Sequence, residues 1–583
     1  MVKTRRPNEN FELEEVDVAI VAESTYPFLK GGVSAVVHDI ITNNPELTFG
    51  IIHIAWDSES PTEYLYDVPG NVLWVDMIYL SMAETSVALQ KLFDSTTELN
   101  GHSPNEVAKK LMYALDQVTR DNPQPLWDLY DEAVNPLTRS YRLWPVFPTK
   151  AMMQQSIKMV GNAEDMSVGT LFWQLRDFFS LAFAITDRVQ PPAKVYHAHT
   201  TGYASVIAAC GARQHNGSFL LTEHNLYVRD TVNTLLDRRM DLPITRTSHL
   251  ELPKNTVEYF WTRWWVEMGA WLYPSADHIT YLYPLAITEA EALGGIPSKS
   301  EVLPNGMEWD DFSYGRLRRR EALDDIVSGR KQNWRFACIA RVVPIKGIIE
   351  LIDSVAHLVR MGYTNFTVDV LGPTDHIPEY YRRCVAYAEK IGVSDRVVFR
   401  GTVKVREVIH DYDALVLASF NEGQPIVVLE SMACGLPVVG TNVGGMDQVV
   451  RDPLPDLDGG EVGPCGILVE PGDSEGLAKG IATLMGSGEA YREWYENALV
   501  RLQGTFLMPV VMSRYNAIYR RLGAASTPAS LPNADLARGE DDVREGGFLR
   551  RPKGSQLFGW GTTRNPETVR TGQLMGGYFR RQK

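Results

Sequence analysis

The chain has 583 residues, of which 44% are hydrophobic and 22% are charged. This composition is typical of a folded protein of roughly two to four domains, and it excludes a disordered chain, a collagen and a coiled coil. The 72 Asp and Glu outnumber the 57 Lys and Arg and give a formal net charge of −15. That balance argues against a nucleic-acid binder, because phosphate backbones attract clustered Lys and Arg.

Cysteine usage and the N-terminus predict a reducing, cytoplasmic environment. The 5 cysteines are widely spaced and form no CxxC pair, so neither a disulfide framework nor a zinc site is indicated. Residues 1–15 form an N-terminal extension that turns from basic to acidic without an apolar segment, unlike a signal peptide. No apolar run reaches the length of about 18 residues that a membrane-spanning helix needs.

Residues 16–325 are predicted to form a first α/β domain. The apolar run VDVAIVAES at 16–24 precedes Gly31 and Gly32 and then a helical pattern, which predicts a strand, a loop and a helix. The alternation continues through KVYHAHTT, FLLTEH and HITYLYP. Residues 80–190 interrupt it and are predicted to be a helical insertion.

Residues 326–506 are predicted to form a second domain of the same kind, and the charged segment 316–333 marks the boundary. The strand pattern WRFACIARV leads into the helical pattern IIELIDSVAHLVRMG. The strand-like runs that complete the alternation are TVDVLG, VVFRG, ALVLASF, VVLESMACG and PVVGTNVGG. The predicted fold class is therefore α/β, with two Rossmann-like doubly wound domains facing a cleft.

The C-terminal part changes character twice. Residues 507–522 predict an amphipathic helix that crosses back to the N-terminal domain. Residues 523–583 are rich in Gly, Arg, Pro and Thr and lack apolar periodicity, which predicts a poorly ordered basic tail. The alternative for the tail is a docking arm for a partner or an anionic membrane surface.

The strongest chemical pattern is the pair Glu422 and Glu430 in NEGQPIVVLESMACG. Glu422 follows the apolar run ALVLASF directly, and Glu430 lies within the next apolar run, where a carboxylate needs a partner or a ligand. A carboxylate can accept two hydrogen bonds from a vicinal diol such as a ribose, and Gly423 permits close backbone approach. The alternative is one helix-capping glutamate and one incidental glutamate.

Arg341 and Lys346 in ARVVPIKG follow a predicted strand, at the edge where open α/β sheets bind ligands. A planar guanidinium and an ammonium can together hold a diphosphate, and the alternative is a surface basic pair. Gly31 and Gly32 can present backbone N–H groups to an anion at a helix N-terminus. The alternative there is a simple turn, since the sequence matches neither GxGxxG nor a Walker loop.

Three histidines, His197, His199 and His224, fall at the ends of predicted strands. Each could bind a sugar hydroxyl, and a buried structural histidine is the alternative. A metal site is not favoured, because no third ligand has clear spacing. Residues 411–413 are favoured as a helix–strand junction over a cation-binding DxD, and the aromatic cluster at 261–271 as packed core over a carbohydrate or membrane platform.

Together these segments resemble the GT-B glycosyltransferases of family 4. The resemblance rests on GGV at 31–33, LPNGMEWDDF at 303–312, ARVVPIKG at 340–347 and EGQPIVVLE at 422–430, which is the E-x7-E motif of that family. Within the family the chain is most similar to the PelF subgroup of exopolysaccharide transferases, through ESTYPFLKGGVSAVVHDII, LTEHNLYVRD and LGPTDHIPEYYRRC.

The resemblance implies a retaining transferase that moves a hexose from a UDP-sugar, with UDP-glucose preferred, to a growing exopolysaccharide chain. It implies no metal and no other cofactor. It also implies a membrane-embedded synthase or transport partner, so peripheral binding at the inner face of a membrane is the alternative to a purely cytoplasmic location. The competing functions are a glycogen-synthase-like transferase, a UDP-sugar epimerase and a non-catalytic GT-B scaffold of a membrane polysaccharide synthase.

The same resemblance assigns roles to residues. The implied catalytic residues are Glu422, Arg341, Lys346 and His224. The implied donor-binding residues are Gly31, Gly32, Arg341, Lys346, Arg400, Gly401, Thr402, Gly423, Gln424, Pro425 and Glu430. The implied acceptor-side residues are His197, His199 and Tyr203. In this assignment Glu430 binds the ribose, and the backbone at 400–402 faces the base. One departure is Asn225, which stands where the subgroup usually has Gly.

Overall fold

The computed structural model describes residues 2–7, 9, 11–93, 96–160, 167–240, 242–254, 256–455 and 458–526. Residues 527–583, which make up almost all of the predicted basic tail, lie outside the described residues. The described chain forms two large parallel sheets with their helices and one small antiparallel ribbon.

The first sheet has eight parallel strands. They are β1 (Lys3–Arg5), β2 (Val16–Glu23), β3 (Phe49–Ala55), β4 (Val72–Tyr79), β5 (Ala193–Ala198), β6 (Ser218–Glu223), β7 (His278–Tyr281) and β8 (Ser300–Val302). Their order is β1-β4-β3-β2-β5-β6-β7-β8. Residues 18–22 of β2 are all at most 1% exposed, which explains why the strand is continuously apolar rather than alternating.

The second sheet has six parallel strands, and the ribbon has two. They are β9 (Trp334–Ile339), β10 (Phe366–Leu371), β11 (Val397–Gly401), β12 (Ala414–Leu417), β13 (Val438–Thr441), the ribbon strands β14 (Leu454–Pro455) and β15 (Glu461–Val462), and β16 (Gly466–Val469). The order in the sheet is β11-β10-β9-β12-β13-β16. This is the strand order of a Rossmann sheet, so the predicted α/β class and doubly wound domains are confirmed.

Helices connect most of the successive parallel strands. They are α1 (Gly32–Thr42), α2 (Met82–Phe93), α3 (Pro104–Val118), α4 (Gln124–Ala133), α5 (Lys150–Val160), α6 (Val168–Thr186), α7 (Tyr203–His215), α8 (Tyr227–Leu235), α9 (Val257–Ser275), α10 (Pro284–Glu291), α11 (Ser313–Val327), α12 (Ile348–Arg360), α13 (Pro378–Lys390), α14 (Val405–Val408), α15 (Ile426–Ala433), α16 (Ser474–Gly486), α17 (Gly488–Arg501) and α18 (Met508–Ala525). In the part of the chain that the structure describes, no helix combines the length and the apolar character needed to cross a bilayer.

Helices α2 to α6 lie between β4 and β5. Helix α3 begins with a capping box in which Ser103 and Glu106 satisfy each other's backbone N–H groups. Its apolar face belongs to the same core cluster as Trp261 and Trp265 of α9, which are each 2% exposed. Trp261 and Trp265 of α9 therefore form packed core, as the sequence favours, whereas Trp264 and Trp271 are partly buried.

The run VVLESMACG is wrongly predicted as a strand, since residues 426–433 form helix α15. A short apolar run that is buried on all sides has no periodicity that separates the two structures. The topology decides for the helix: β12 and β13 are adjacent parallel strands, and a parallel pair needs a crossover connection.

Helix α18 follows the second domain in sequence but packs on the first sheet. Its Met512 and Tyr515 share a core cluster with Val18 and Ile20 of β2. The backbone of Met307, in the connection between the domains, pairs with Phe506 and Met508 just before and at the start of α18. Two chain segments therefore join the domains side by side.

Candidate functional site

The two sheets each reverse their strand order next to their first long strand. The reversal falls between β2 and β5 in the first sheet and between β9 and β12 in the second. Loops that follow such strands diverge and leave a crevice at the carboxyl edge of the sheet, which is where open α/β sheets bind ligands. Most of the residues singled out from the sequence lie on these loops.

Lys346 and Glu422 meet across the crevice of the second sheet. The Lys346 Nζ donates to Glu422 Oε1 at 2.6 Å, and the Ser419 hydroxyl donates to the same oxygen at 2.7 Å. The two charged side chains are only 17% and 11% exposed. Gly347 sits at a φ of 62°, and a Cβ there would collide with the carbonyl of Ala418, so glycine is needed to bring the two loops together.

Arg341 lies on the same β9–α12 loop as Lys346. Its side chain is exposed and forms no hydrogen bond or ion pair with any residue that the structure describes. An unpaired guanidinium beside a half-buried ammonium offers a fork and a point charge to one anion.

Three helices begin at this crevice, each directly after a strand that flanks a reversal point. They are α1, α12 and α15, capped by Gly31, Gly347 and Pro425, and none has a side-chain cap among the described residues. The Cβ position of Gly32 lies 3.8 Å from Ile426 Cδ1, so the N-termini of α1 and α15 face each other. Uncapped N–H groups and the helix dipoles favour an anion between them.

Glu430 lies on α15, one helical turn beyond Ile426. Its carboxyl makes no hydrogen bond with a described residue. Burial raises its pKa to about 7, and the nearby charge of Arg406 lowers it only in part. A partly desolvated carboxyl that lacks a partner among the described residues is a group that a ligand diol would satisfy.

Strand β11 ends with Arg400 and Gly401 at the same edge of the sheet. The Arg400 Nε donates to Asp369 Oδ2 at 3.0 Å, so its side chain is held on the sheet. Gly401, at a φ of 70°, accepts from the N–H of Gly372 at 2.8 Å. Thr402 follows and is exposed.

The loop at 423–425 is packed tightly between the two domains. A Cβ on Gly423 would collide with the carbonyl of His224, and the Gly423 carbonyl accepts from Gly445 at 2.7 Å. The Gln424 Oε1 accepts from the backbone N–H of Asn305 at 2.6 Å. Asn305 lies in the segment LPNGMEWDDF, so Gln424 contacts the connection between the domains.

His224 and His199 form a neutral pair on the first domain. The His199 Nδ1 and His224 Nε2 lie 2.8 Å apart. Burial lowers the pKa of His224 to about 4 and lowers that of His199 as well. Near neutral pH both rings are uncharged, so this pair can exchange hydrogen bonds but adds no positive charge.

The structure corrects two of the acceptor-side residues. His197 is fully buried, and its ring nitrogens bond Tyr519 and Thr222, each at 2.7 Å. Tyr203 is 3% exposed, and its ring packs against Trp265. Both side chains point into the core rather than the cleft, because β5 and α7 are covered on that side by α18 and α9.

Sequence reasoning missed a cluster that links the domains. The Arg229 guanidinium of α8 donates to Asn421 Oδ1 at 3.2 Å and to Asn225 Oδ1 at 2.9 Å. Asn225 also donates to Asp230 at 2.6 Å. Burial raises the pKa of Asp230 to about 6, against the lowering effect of the Arg229 charge. These residues stand in LTEHNLYVRD, where the unusual Asn225 was the available clue.

Two buried carboxyls, Glu23 and Glu223, were also missed. They end β2 and β6, and burial raises the pKa of each to about 7. Tyr227 donates its hydroxyl to Glu23 at 2.9 Å, and Tyr273 donates to Glu223 at 3.0 Å. The clue was an acidic residue at the very end of each apolar run. The described residues contain no group of three or more His, Cys, Asp or Glu arranged to hold a metal ion, and the lack of a metal requirement stays a prediction.

Two family models match the chain. Residues 16–298 match "Domain of unknown function (DUF3492)", and residues 320–501 match "Glycosyl transferases group 1". The second match covers β9 to α17, which carry Arg341, Lys346, Glu422 and Glu430. The predicted glycosyltransferase resemblance is therefore confirmed for this domain at the level of group 1, and the assignments to family 4 and to the PelF subgroup stay predictions.

Curated relatives match mainly over parts of their length. N-acetyl-alpha-D-glucosaminyl L-malate synthase of Bacillus anthracis is 33% identical over 132 residues, which are 22% of this chain and 32% of that protein. D-inositol 3-phosphate glycosyltransferase of Acidothermus cellulolyticus is 26% identical over 352 residues, which are 56% of this chain and 75% of that protein. The chain thus spans about a third of the first relative and three quarters of the second.

Solved structures with the same architecture include sucrose-phosphate synthase from Thermosynechococcus elongatus. Its TM-score is 0.52 at 15% identity, covering 87% of this chain and 99% of that one. Anabaena HepE in complex with UDP has a TM-score of 0.51 at 14% identity, covering 86% of this chain and 99% of that one. At this identity the likeness establishes the fold, which is the GT-B fold.

Proposed function

We propose that the protein is a retaining glycosyltransferase. The proposal starts from its glycosyl transferases group 1 domain and its GT-B fold. The protein transfers a hexose from a UDP-sugar, with UDP-glucose as the preferred donor, to a growing exopolysaccharide chain. The observation that carries the proposal is the contact of Lys346 with Glu422 opposite the N-terminus of α1. Arg341, which has no partner among the described residues, lies on the same loop as Lys346.

The diphosphate of the donor lies between the domains in this proposal. Arg341 and Lys346 neutralise it from the second domain, and the N–H groups at Gly31 and Gly32 bind it from the first. When the bond between the anomeric carbon and the diphosphate oxygen breaks, the electron pair stays on the departing UDP. Fixed cations and helix N-termini that face this oxygen stabilise the charge as it develops.

The nucleoside and the sugar occupy opposite ends of the crevice. Glu430 accepts two hydrogen bonds from the ribose hydroxyls in this proposal. Its carboxyl makes no hydrogen bond with a described residue, which supports this role. The backbone at 400–402 faces the base, Glu422 orients the transferred sugar, and the neutral His224 bonds a hydroxyl near the reacting carbon. The acceptor oxygen forms the new bond on the face that UDP leaves, and its proton passes to the departing diphosphate.

The proposed donor and acceptor rest on different observations. Solved structures of HepE contain UDP, UDP and glucose, or UDP-glucose, which supports UDP-glucose as the first donor to test. The exopolysaccharide acceptor and a membrane-embedded partner rest on the PelF-like segments of the sequence. The competing functions predict other products. A UDP-sugar epimerase would convert the donor to another UDP-sugar without an acceptor, and a non-catalytic scaffold would release no UDP.

The test is to incubate the full chain with UDP-glucose, UDP-galactose and UDP-N-acetylhexosamines and to follow UDP release. Chromatography of the recovered sugar nucleotide and the product distinguishes transfer from epimerisation. Isothermal titration with UDP measures binding independently. UDP binding without release from any donor, with or without polysaccharide acceptor, would support a scaffold and contradict the transferase.

Lys346→Ala should lower the rate of UDP release by at least about 100-fold, because a preorganised cation is lost from the developing charge. The control is Lys404→Ala, which removes an exposed lysine paired with Glu407 at 2.9 Å and should leave the rate unchanged. Far-UV circular dichroism and UDP binding check that both variants fold. Full turnover by the Lys346 variant would refute its role.

A further inference from the structure

His199 and His224 stand at the carboxyl ends of two neighbouring strands. His199 directly follows β5, His224 directly follows β6, and these strands pair in parallel. The His199 Nδ1 and the His224 Nε2 lie 2.8 Å apart, which is the length of a good hydrogen bond. The two imidazoles therefore act as one unit, with one outer nitrogen on each ring.

The outer nitrogen of His199 is closed off from any ligand. His199 is 3% exposed, and its Nε2 is buried without a hydrogen bond to a described residue. Its ring packs against that of His197, with the centroids 4.1 Å apart. Tyr519 and Thr222 already bond the two nitrogens of His197. Among the described side chains, His199 therefore has only His224 to bond.

The outer nitrogen of His224 is accessible. The side chain of His224 is half-buried, and its Nδ1 makes no hydrogen bond with a described residue and is not enclosed by the protein. The backbone carbonyl of His224 blocks the Cβ position of Gly423, so the residue stands where the two domains meet, beside Glu422. The Nδ1 of His224 is thus the nitrogen of the pair that a ligand in the cleft can reach.

The position of one proton decides what this nitrogen offers. Burial lowers the pKa of both rings, so near neutral pH each ring carries a single N–H. If the His199 Nδ1 donates, His224 keeps its own proton on Nδ1 and is a donor toward the cleft. If the His224 Nε2 donates instead, its Nδ1 is a bare acceptor, and the proton of His199 stands on the buried Nε2.

The buried Nε2 of His199 favours the first arrangement. The second arrangement would leave an N–H there with no acceptor among the described residues. Among buried backbone groups, an orphaned N–H is rarer than an under-satisfied acceptor, and the same cost applies to a buried imidazole. A lone pair on this nitrogen is therefore preferred, and the proton of His199 lies on Nδ1.

We propose that His199 is a positioning residue that fixes the tautomer of His224, so that His224 donates its Nδ1–H to an oxygen of the transferred sugar. The inference rests on the proposed function, in which His224 bonds a sugar hydroxyl. It adds the direction of that bond and the residue that sets it. The site then selects the donor sugar by an oxygen lone pair at this position rather than by a hydroxyl proton.

The first measurement is the tautomer of His224 in the full chain without a nucleotide sugar. Long-range proton–nitrogen spectra of the chain with isotope-labelled histidines distinguish a protonated nitrogen from a bare one, and His224→Ala assigns the signals among the 12 histidines. We expect the Nδ1–H form. His199→Asn places an amide donor where Nδ1 stands and should keep that form, whereas His199→Phe removes the donor and should lose it.

The second measurement is the direction of the bond to the sugar. Isothermal titration compares analogues of UDP-glucose in which one hydroxyl, at C3, C4 or C6, is replaced by hydrogen or by fluorine, which accepts but cannot donate. At the position that faces His224, the fluoro analogue should bind at least about threefold more tightly than the deoxy analogue. His224→Ala identifies this position, because it removes the preference there.

Variants of His199 connect the two measurements. His199→Phe should remove the preference for the fluoro analogue, and His199→Asn should retain it, which a purely structural role would not predict. The control is His102→Phe, at an exposed histidine whose ring packs against Tyr141, and it should change neither readout. Circular dichroism and UDP binding verify folding, and the Asn variant and the wild-type spectra decide the question if the Phe variant does not fold.

Three results would overturn the inference. One is the Nε2–H tautomer of His224 in the wild type. Another is equal affinity for deoxy and fluoro analogues at every position in a protein that binds UDP-glucose. The last is an unchanged tautomer and an unchanged preference in folded His199→Phe. The proposed function fails differently, because UDP-glucose would then not bind, or would bind without UDP release.

Discussion

Burial shifts the pKa values of two side chains in the cleft, Glu430 and His224. It raises the pKa of Glu430 to about 7 and lowers that of His224 to about 4. Both shifts favour the uncharged form, because a desolvated charge is costly. The cleft therefore holds a protonatable carboxyl and a neutral imidazole together with Arg341 and Lys346, although the whole chain has a net charge of −15.

The Glu430 carboxyl should make UDP binding depend on pH. Ionisation through about pH 7 creates the acceptor for the ribose hydroxyls, so wild-type affinity should rise between about pH 6 and 8 more steeply than that of Glu430→Gln. Isothermal titration of both proteins measures this, and the variant serves as the control for titration of UDP itself. Parallel pH profiles would contradict the ribose-binding role.

The Glu430 carboxyl should also make the stability of the protein depend on pH, and stability should fall where UDP affinity rises. Its folded pKa of about 7 exceeds the unfolded value of 4.5, so between these pH values the folded state binds more protons. The free energy of unfolding contributed by Glu430 therefore falls as pH rises through this window. The free energy of unfolding of Glu430→Gln, relative to that of the wild type, should therefore rise by about 2 to 3 kcal/mol between pH 4 and pH 8. Urea unfolding measures both free energies, and a difference that does not change with pH would contradict the prediction.

At the scale of elements, the loop at 421–424 depends on the glycine loop that follows β13. Gly444 has a φ of 54°, and a Cβ there would collide with the Glu422 carbonyl. Gly444→Ala should displace Glu422 and abolish most UDP release. Gly392→Ala is the matched control, since it also has a positive φ, 77°, but open space around its Cβ position. It should cost only about 1 kcal/mol of stability, and equal activity of the two variants would contradict the steric argument.

Helix α18 contacts the first domain through the buried hydroxyl of Tyr519, which lies 2.7 Å from His197 Nδ1. Tyr519→Phe removes the hydrogen bond to His197 and leaves a buried ring nitrogen unpaired, so it should destabilise the protein by about 1 to 3 kcal/mol. Because His197 lies in the core, UDP binding should not change. Tyr314→Phe, at a tyrosine that is 58% exposed, should be neutral by thermal unfolding. A change in UDP affinity without loss of stability would place His197 in the site after all.

At the scale of the molecule, Arg229 and Asn421 join the domains directly beside Glu422. Asn421→Ala removes the side chain of the second domain that accepts from Arg229, and it alters neither hydrophobic core. Each domain should therefore stay folded while the cleft opens. We expect a several-fold rise in KM for the donor, a lower kcat and a larger radius of gyration by small-angle scattering. Asn497→Ala removes an amide contact inside the second domain, with Pro464 at 2.8 Å.

The Asn497 variant should leave the radius of gyration and KM unchanged. Arg229→Lys keeps the charge but loses the forked geometry, so it should weaken closure in the same direction as Asn421→Ala. In the double variant the two effects should not add, because both substitutions remove the same contact between residues 229 and 421. Additive effects would show that the residues act separately.

Sequence by itself determined the α/β class, the two doubly wound domains and the resemblance to a GT-B glycosyltransferase. Apolar strands, the glycines and charges that follow them, and the E-x7-E spacing are all local in the chain. Only the tertiary structure decided that residues 426–433 are a helix, that His197 and Tyr203 are core, that Arg341 has no partner among the described residues and that Arg229 reaches Asn421. These facts depend on contacts between distant residues, such as His197 and Tyr519, which are 322 positions apart, and local patterns carry no information on such pairs.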